Sequence, residues 1–324
     1  MRFYEITISP SSQSPTAFTP ITYTSLKPNG TNNGAALRVD LDIYQALFNQ
    51  PAQAAVMTIY GVPFSDINQA ANFNLADVSI SLGMSKGLPI TTPRNGLIIN
   101  GTILQAYGNW QGTDVRLSLI IVAKGLDQAT NANLSFNWAK GTSLQSAITN
   151  CLQTAYGQSI NINGTISANL IAPETQPGKF SNLRQLSNYV FDASKAINPS
   201  PSYRGVSLGY TSNGFLMLDG TDTFAEPKQI EYVDIIGNLT WKDIATIQAK
   251  LVMRNDLNIG DVIKFPLYAP TVNVALQSGG GRGKISFDGT FTVIQVRHVG
   301  SSRQANADSW VTIIDAQYHN AKAA

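Results

Sequence analysis

Cleaving a glycosidic bond takes two positioned carboxylates. The four glutamates, Glu5, Glu174, Glu226 and Glu231, are scattered, and none is set beside another acid as an acid/base pair. Asp40 and Asp42 project to the same side of one predicted strand, which reads as a wetted face and not a reacting pair. Asp219-Gly220-Thr221-Asp222 offers oxygens that suit calcium, but it lacks the ligand series of an EF-hand loop and reads as a turn. His298, His319 and Cys151 are too few to build a four-ligand zinc site from histidine and cysteine. His298 is expected to end a strand, and His319 lies in a tail expected to fray. The run Ser278-Gly279-Gly280-Gly281-Arg282-Gly283-Lys284-Ile285 imitates a phosphate loop. Its first required glycine is Ser278, however, and Ile285 stands where a hydroxyl is needed. The sequence therefore predicts no catalytic residues, no metal, no cofactor and no enzymatic activity.

What the residues do offer is contact chemistry. Arg282, Lys284, Arg297 and Arg303 concentrate near the last strands, and together with the glycine loop they suit an acidic partner surface or the lining of a passage for DNA. A net charge of +2 is too small for a dedicated nucleic-acid binder. Charged residues make up 13% of the chain, about half the usual share of roughly 25%. Asn, Ser, Thr and Gln must supply the rest of the polar surface, a composition that suits burial against other chains and equally suits a β-rich soluble protein. Trp110, in Tyr107-Gly108-Asn109-Trp110-Gln111-Gly112, is read as a packed rim residue in preference to an exposed binding ring. The single cysteine excludes a disulfide framework and fits a reducing compartment. No start-proximal apolar leader is seen, and no window reaches the roughly 18 apolar residues of a span, so no membrane embedding is expected.

These residues must be held by strands in the first 125 positions. Phe3 to Ile8, Leu37 to Ile43 and Val78 to Leu82 alternate apolar with polar, as half-buried strands do, and Ala55 to Tyr60 lies between the last two. Val115 to Val122 is apolar enough to be buried on both faces, and Asn100-Gly101 signals a turn or bulge within Leu97 to Gln105. A short amphipathic turn is expected over Phe64 to Asn72. The polar run Pro10 to Asn33 is too long for a tight turn and reads as an arm that orders against a neighbour. Near residue 140 the period changes. Ser143 caps a helix with Leu144, Ala147, Ile148, Cys151, Leu152 and Ala155 on one face, and Gly157 ends it. A short strand over Ile160 to Ile166 and a linker over Pro173 to Gly178 lead to a second helix. That helix takes Ser181 as its cap, carries Leu183, Leu186, Val190 and Phe191 as its stripe and stops before Asn198-Pro199. Val206 to Tyr210 and Phe215 to Leu218 flank Thr211-Ser212-Asn213-Gly214 as a hairpin. Strands then return over Gln229 to Ile235, Ile247 to Met253, Val262 to Phe265, Gly289 to His298 and Ser309 to Ala316.

The closing block carries a resemblance. Leu257-Asn258-Ile259-Gly260-Asp261 leads into a strand; later come Gly289-Thr290-Phe291-Thr292-Val293, the turn His298-Val299-Gly300, and a final strand containing Trp310. This pattern resembles the C-terminal part of baseplate hub proteins of contractile-tailed bacteriophages, and it covers the last hundred residues best. The resemblance implies a mainly β protein with an α+β insert: tube-like β-barrel domain I over 1–135, an α+β middle domain over 136–225, and tube-like β-barrel domain II over 226–324. It further implies a homotrimer whose six barrels imitate the end of the tail tube. The expected partners are the tube or tube-initiator protein, the central spike and other baseplate proteins, with DNA passing through the lumen. Its place would be the virion baseplate, assembled in the host cytoplasm. A competing expectation is a virion-associated glycan-binding or wall-degrading protein that uses the middle segment.

Overall fold

The computed structural model describes the chain apart from residues 49–54, 86–93, 124–132, 159, 201–202, 212–213, 221–225, 244, 267–286, 288, 307 and 320–324. The first strand-rich region contributes β1 (Arg2–Ser9), β2 (Ile21–Thr24), β3 (Arg38–Ala46), β4 (Ala55–Tyr60), β5 (Asp77–Met84), β6 (Arg94–Gln111) and β7 (Asp114–Ala123). Period-two burial sets their facing: Tyr4, Ile6 and Ile8, Val39, Leu41 and Ile43, and Val78, Ile80 and Leu82 all point into one core with Phe73, Leu117, Leu119 and Ile121. The Phe64 to Asn72 expectation resolves as α1 (Phe64–Asn68) followed by a 3-10 turn over Ala70–Phe73.

Three local readings of this region need correction. Pro10 to Asn33 is not wholly an arm: Ile21–Thr24 pairs antiparallel with Glu5 to Ile8, and Phe18 packs edge-on against Phe73 at 5.1 Å. Asn100-Gly101 makes no turn, because β6 runs unbroken through it. The irregularities lie to either side, at Ile98 opposite the Ile80/Ser81 step and at Leu104 between Ile103 and Gln105. Glycine is required at 101 because a Cβ there would sit 2.5 Å from the Val122 carbonyl oxygen. On β7 only one face is buried; Leu117, Leu119 and Ile121 alternate with half-buried Ser118, Ile120 and Val122.

The middle region holds β8 (Leu134–Trp138), α2 (Leu144–Tyr156), β9 (Ile162–Asn163), β10 (Gln176–Phe180), α3 (Leu183–Ile197), β11 (Val206–Thr211) and β12 (Gly214–Asp219). Ser143 caps α2 by accepting from the Ser146 amide, and Asn182 caps α3 by accepting from that of Gln185. The expected linker instead pairs as β10 with β8, and the Ile160 to Ile166 strand shrinks to two residues parallel to β12. Both helices lay apolar faces on a separate core with Trp138, Phe136, Val206 and Phe215; Leu183, Leu186 and Val190 of α3 enter it, whereas Phe191 is half-buried outside it, with the Lys195 ammonium 5.1 Å from its ring centre. The hairpin's tip residues Ser212 and Asn213 lie outside the described residues.

The last region contributes β13 (Lys228–Gln229), β14 (Thr240–Trp241), β15 (Thr246–Val252), β16 (Val262–Lys264), β17 (Thr290–Ser301) and β18 (Trp310–His319), around a third core with Leu239, Leu251, Ile263, Phe291 and Ile314. Gln229 to Ile235 is not a strand, since a 3-10 turn over Tyr232–Asp234 takes over after β13. His298 lies within β17, not at its end, and His319 is still strand, paired with Thr290. Thirteen of the described strands form one sheet in the order β14-β15-β18-β17-β3-β4-β7-β6-β5-β1-β2, with β16 and β13 branching from β17. The protein is therefore mainly β, built on a large antiparallel sheet with few helices.

Candidate assembly interface

The element that organises the molecule is β17. Its first residues pair with β16 (Thr290↔Lys264 to Thr292↔Val262), and its last pair with β3 (Gln295↔Ala46 to Ser301↔Asp40). Between them the register against β18 slips at Val293/Gln295. This bulge moves the core-facing set from Phe291 and Val293 to Val296 and His298, so Gln295 does not share a face with Phe291 as simple alternation predicts. One strand thereby belongs to the last region at its start and to the first region at its end.

Side chains cross the same joint. Met253 and Trp310 enter the first core, and Leu47 at the end of β3 enters the third. The Trp310 indole N–H donates to the Gly83 carbonyl at 3.0 Å. Arg2 donates to the carbonyls of Ser301 at 2.9 Å and Asn306 at 3.1 Å, to that of Gln304, and to Ser309 Oγ at 2.7 Å. A guanidinium suits that task because it presents several donors in a fixed fork.

Of the four basic residues singled out in the sequence, Arg282 and Lys284 lie outside the described residues. Arg297 forms a bidentate pair with Asp42 across β17 and β3, Nε to Oδ1 at 2.8 Å and Nη2 to Oδ2 at 2.6 Å, and that pairing holds its pKa above the ordinary value. Arg303 donates to the carbonyls of Gly34, at 2.9 Å, and Ala36, tying down the segment that leads into β3. Asp40 pairs with Arg38 at 2.6 Å. The wetted face predicted for Asp40 and Asp42 thus carries charges that are locally neutralised.

Trp110 is the clearest miss in the sequence reading. It is 69% exposed, not packed, and it stands at the β6–β7 hairpin end, edge-on to Phe64, itself 51% exposed, at 5.1 Å. Its indole N–H donates to the Gly112 carbonyl at 2.8 Å. The polar turn Asn109-Trp110-Gln111-Gly112 was the available signal, because a hairpin tip has no core to bury a ring in. The apolar knuckle Tyr232-Val233 on its 3-10 turn is also exposed. Among the described residues, the two ends of the long sheet, β2 and β14, present strand edges.

Burial shifts the titration of two groups, His298 and Cys151. Desolvation drives the His298 imidazole down to about 3 and the Cys151 thiol up to about 11. His298 Nδ1 instead pairs with Thr312 Oγ1 at 3.0 Å. Asp219 accepts from the Ser167 amide at 2.6 Å, and Thr221 and Asp222 lie outside the described residues. Among the described residues no cluster of three or more His, Cys, Asp or Glu could hold a metal ion. No described helix is long and apolar enough to cross a membrane.

No family model matches the chain, and no curated protein sequence does. Solved structures do. The 43 kDa tail protein of prophage MuSo2 from Shewanella oneidensis aligns with a TM-score of 0.51 at 8% identity, covering 96% of each chain. The tail protein from Neisseria meningitidis MC58 aligns with a TM-score of 0.50 at 10% identity, covering 97% of this chain and 96% of its own. A chain of the half-lidded Francisella PdpA-VgrG complex aligns with a TM-score of 0.50 at 10% identity, over 98% of this chain and 58% of that one. At such identities the likeness is one of fold, and it runs nearly end to end.

Proposed function

We propose that this chain, which has the fold of prophage tail proteins, is a structural hub of a phage tail baseplate. In this reading the two strand-rich cores are two tube-like barrel modules, roughly residues 1–135 and 226–324, with the α+β region of 136–225 set between them. Three copies then close a ring of six modules that meets a six-fold tube on one side and a three-fold spike on the other. Its work is geometric and not catalytic. The observation that carries the reading is the near full-length match to two tail proteins combined with the joint at β17, where two cores share one sheet. The likeness to a chain of a VgrG-containing complex supports a spike protein as one partner.

The free edges at β2 and β14 supply a mechanism for ring closure, because unpaired backbone groups on one copy can pair with an edge of the next. The tube or its initiator and other baseplate proteins are the further partners, and DNA passes along the lumen. Arg282, Lys284, Arg297 and Arg303 are proposed to contribute to the partner-facing surface. Reversing the charge at Arg282 and Lys284 tests their part: complex formation with the adjoining tail protein falls at least tenfold, and unchanged assembly removes those residues from the interface. Copurification of the wild-type chain with the spike protein of the same virion tests the larger reading, which fails if the two do not associate.

A further inference from the structure

One buried charge group lies where the two strand-rich units meet away from the β17–β3 seam. Asp234, at the end of the 3-10 turn, is 1% exposed and its Oδ2 accepts from Arg254 Nη1 at 3.0 Å and from Arg94 Nη1. Arg254, 3% exposed, also grips Asp256 through Nε and Nη2 at 2.6 Å each. Arg94 Nη2 stands 3.5 Å from Glu231 Oε1. Arg94 opens β6 in the first unit, whereas Asp234, Arg254, Asp256 and Glu231 all belong to the last. Directly beside it the units touch so closely that a Cβ on Gly96 would sit 2.4 Å from Asn255 Nδ2.

We infer that Arg94, Asp234 and Arg254 form a buried ionic latch that fixes the angle between the two strand-rich units. The reasoning is one of connectivity. In sheet order β6 lies three strands from β3, and β15, which leads to Arg254, lies two strands from β17. A contact between such distant strands is a second fastening added to the seam, and a sheet held at one line bends where one held at two does not. Stability alone does not call for charges here, since a buried ion pair roughly breaks even against apolar side chains of the same volume. What the shared carboxylate adds is direction, because its two guanidinium partners satisfy it in one relative placement of the units. Trp310 and Arg2 reinforce the same face, the first mainly by apolar packing and the second by gripping loop carbonyls.

The use of a fixed angle rests on the hub reading, in which two modules of one chain must occupy neighbouring positions of a hexagon. The latch itself is tested in the isolated full chain. Hydrogen exchange of Asp234→Asn is expected to rise at least tenfold at residues 94–98 and 232–236, with exchange across the Gln295 to Ser301 pairing with β3 unchanged. Arg94→Met removes the first unit's guanidinium and leaves Asp234 paired with Arg254, so it decides the matter if Asp234→Asn fails to fold. Arg297→Ala, which removes an exposed pair at the seam, is the control and leaves residues 94–98 as they were. Wild-type exchange at both segments in folded Arg94→Met overturns the latch. If wild type forms rings, Arg94→Met is expected to form them less well. A wild type that forms none defeats the hub reading and leaves the exchange result standing.

Discussion

His298 shows how position outweighs residue type. Its folded pKa, driven down to about 3 by burial, lies below the ordinary 6.5, so on acidification the unfolded chain takes up the proton first. Stability from this residue is therefore complete above about pH 6.5 and drains as pH falls toward 3, at about 1.4 kcal/mol per unit. Denaturation of wild type and His298→Leu between pH 7 and 5 is expected to show a shallower decline in the variant, and parallel lines would remove His298 as the cause. The tryptophans make a second contrast. Trp138 is fully buried, with its indole N–H donating to the Thr142 carbonyl at 2.9 Å, so Trp138→Ala is expected to cost about 3–5 kcal/mol. Trp110→Ala at the exposed hairpin end is expected to cost under about 1 kcal/mol in denaturant titration. The exposure of Trp110 was legible through the polar Asn109 to Gly112 turn and not through residue type, because a preference for burial is an average over positions and a hairpin tip is outside every core.

At the level of elements, hydrophobic period carried most of the information. The α2 and α3 stripes were legible because an apolar residue every three or four positions has one consistent reading, and Asn182 emerged as the cap of α3 where Ser181 had stood out. Asn182→Ala is expected to lower stability by about 1 kcal/mol through loss of the bond from the Gln185 amide, as read by chemical denaturation. The irregular elements were hidden for a physical reason. The bulge in β17 inserts one residue and reverses which side chains face inward, and nothing local in Val293-Ile294-Gln295 announces it; the partner switch from β16 to β3 selects it. Likewise Asn100-Gly101 has the composition of a turn, yet its glycine serves a close approach to Val122 inside an 18-residue strand. The short β13, β9 and β10 depend on partners far along the chain, which no window of local sequence contains.

For the molecule as a whole, the closing hundred residues carry the sequence pattern of a tail-protein fold, through the Leu257 to Asp261 turn and the last pair of strands, the second opening at Trp310. The continuity of the sheet was not visible there, because it depends on β3 and β17 meeting across more than two hundred residues of chain. That continuity is what gives the account its shape: two cores on one sheet, a third core between them in sequence, and exposed edges at both ends. The central claim is that three such chains close a ring, and the most direct measurement is the mass in solution, by light scattering over a range of concentrations, of the full chain alone and with its spike protein. The account predicts a species of three chains, each of 34.9 kDa, alone or seated on the spike. A chain that stays monomeric at high concentration and binds the spike as a single copy would contradict it.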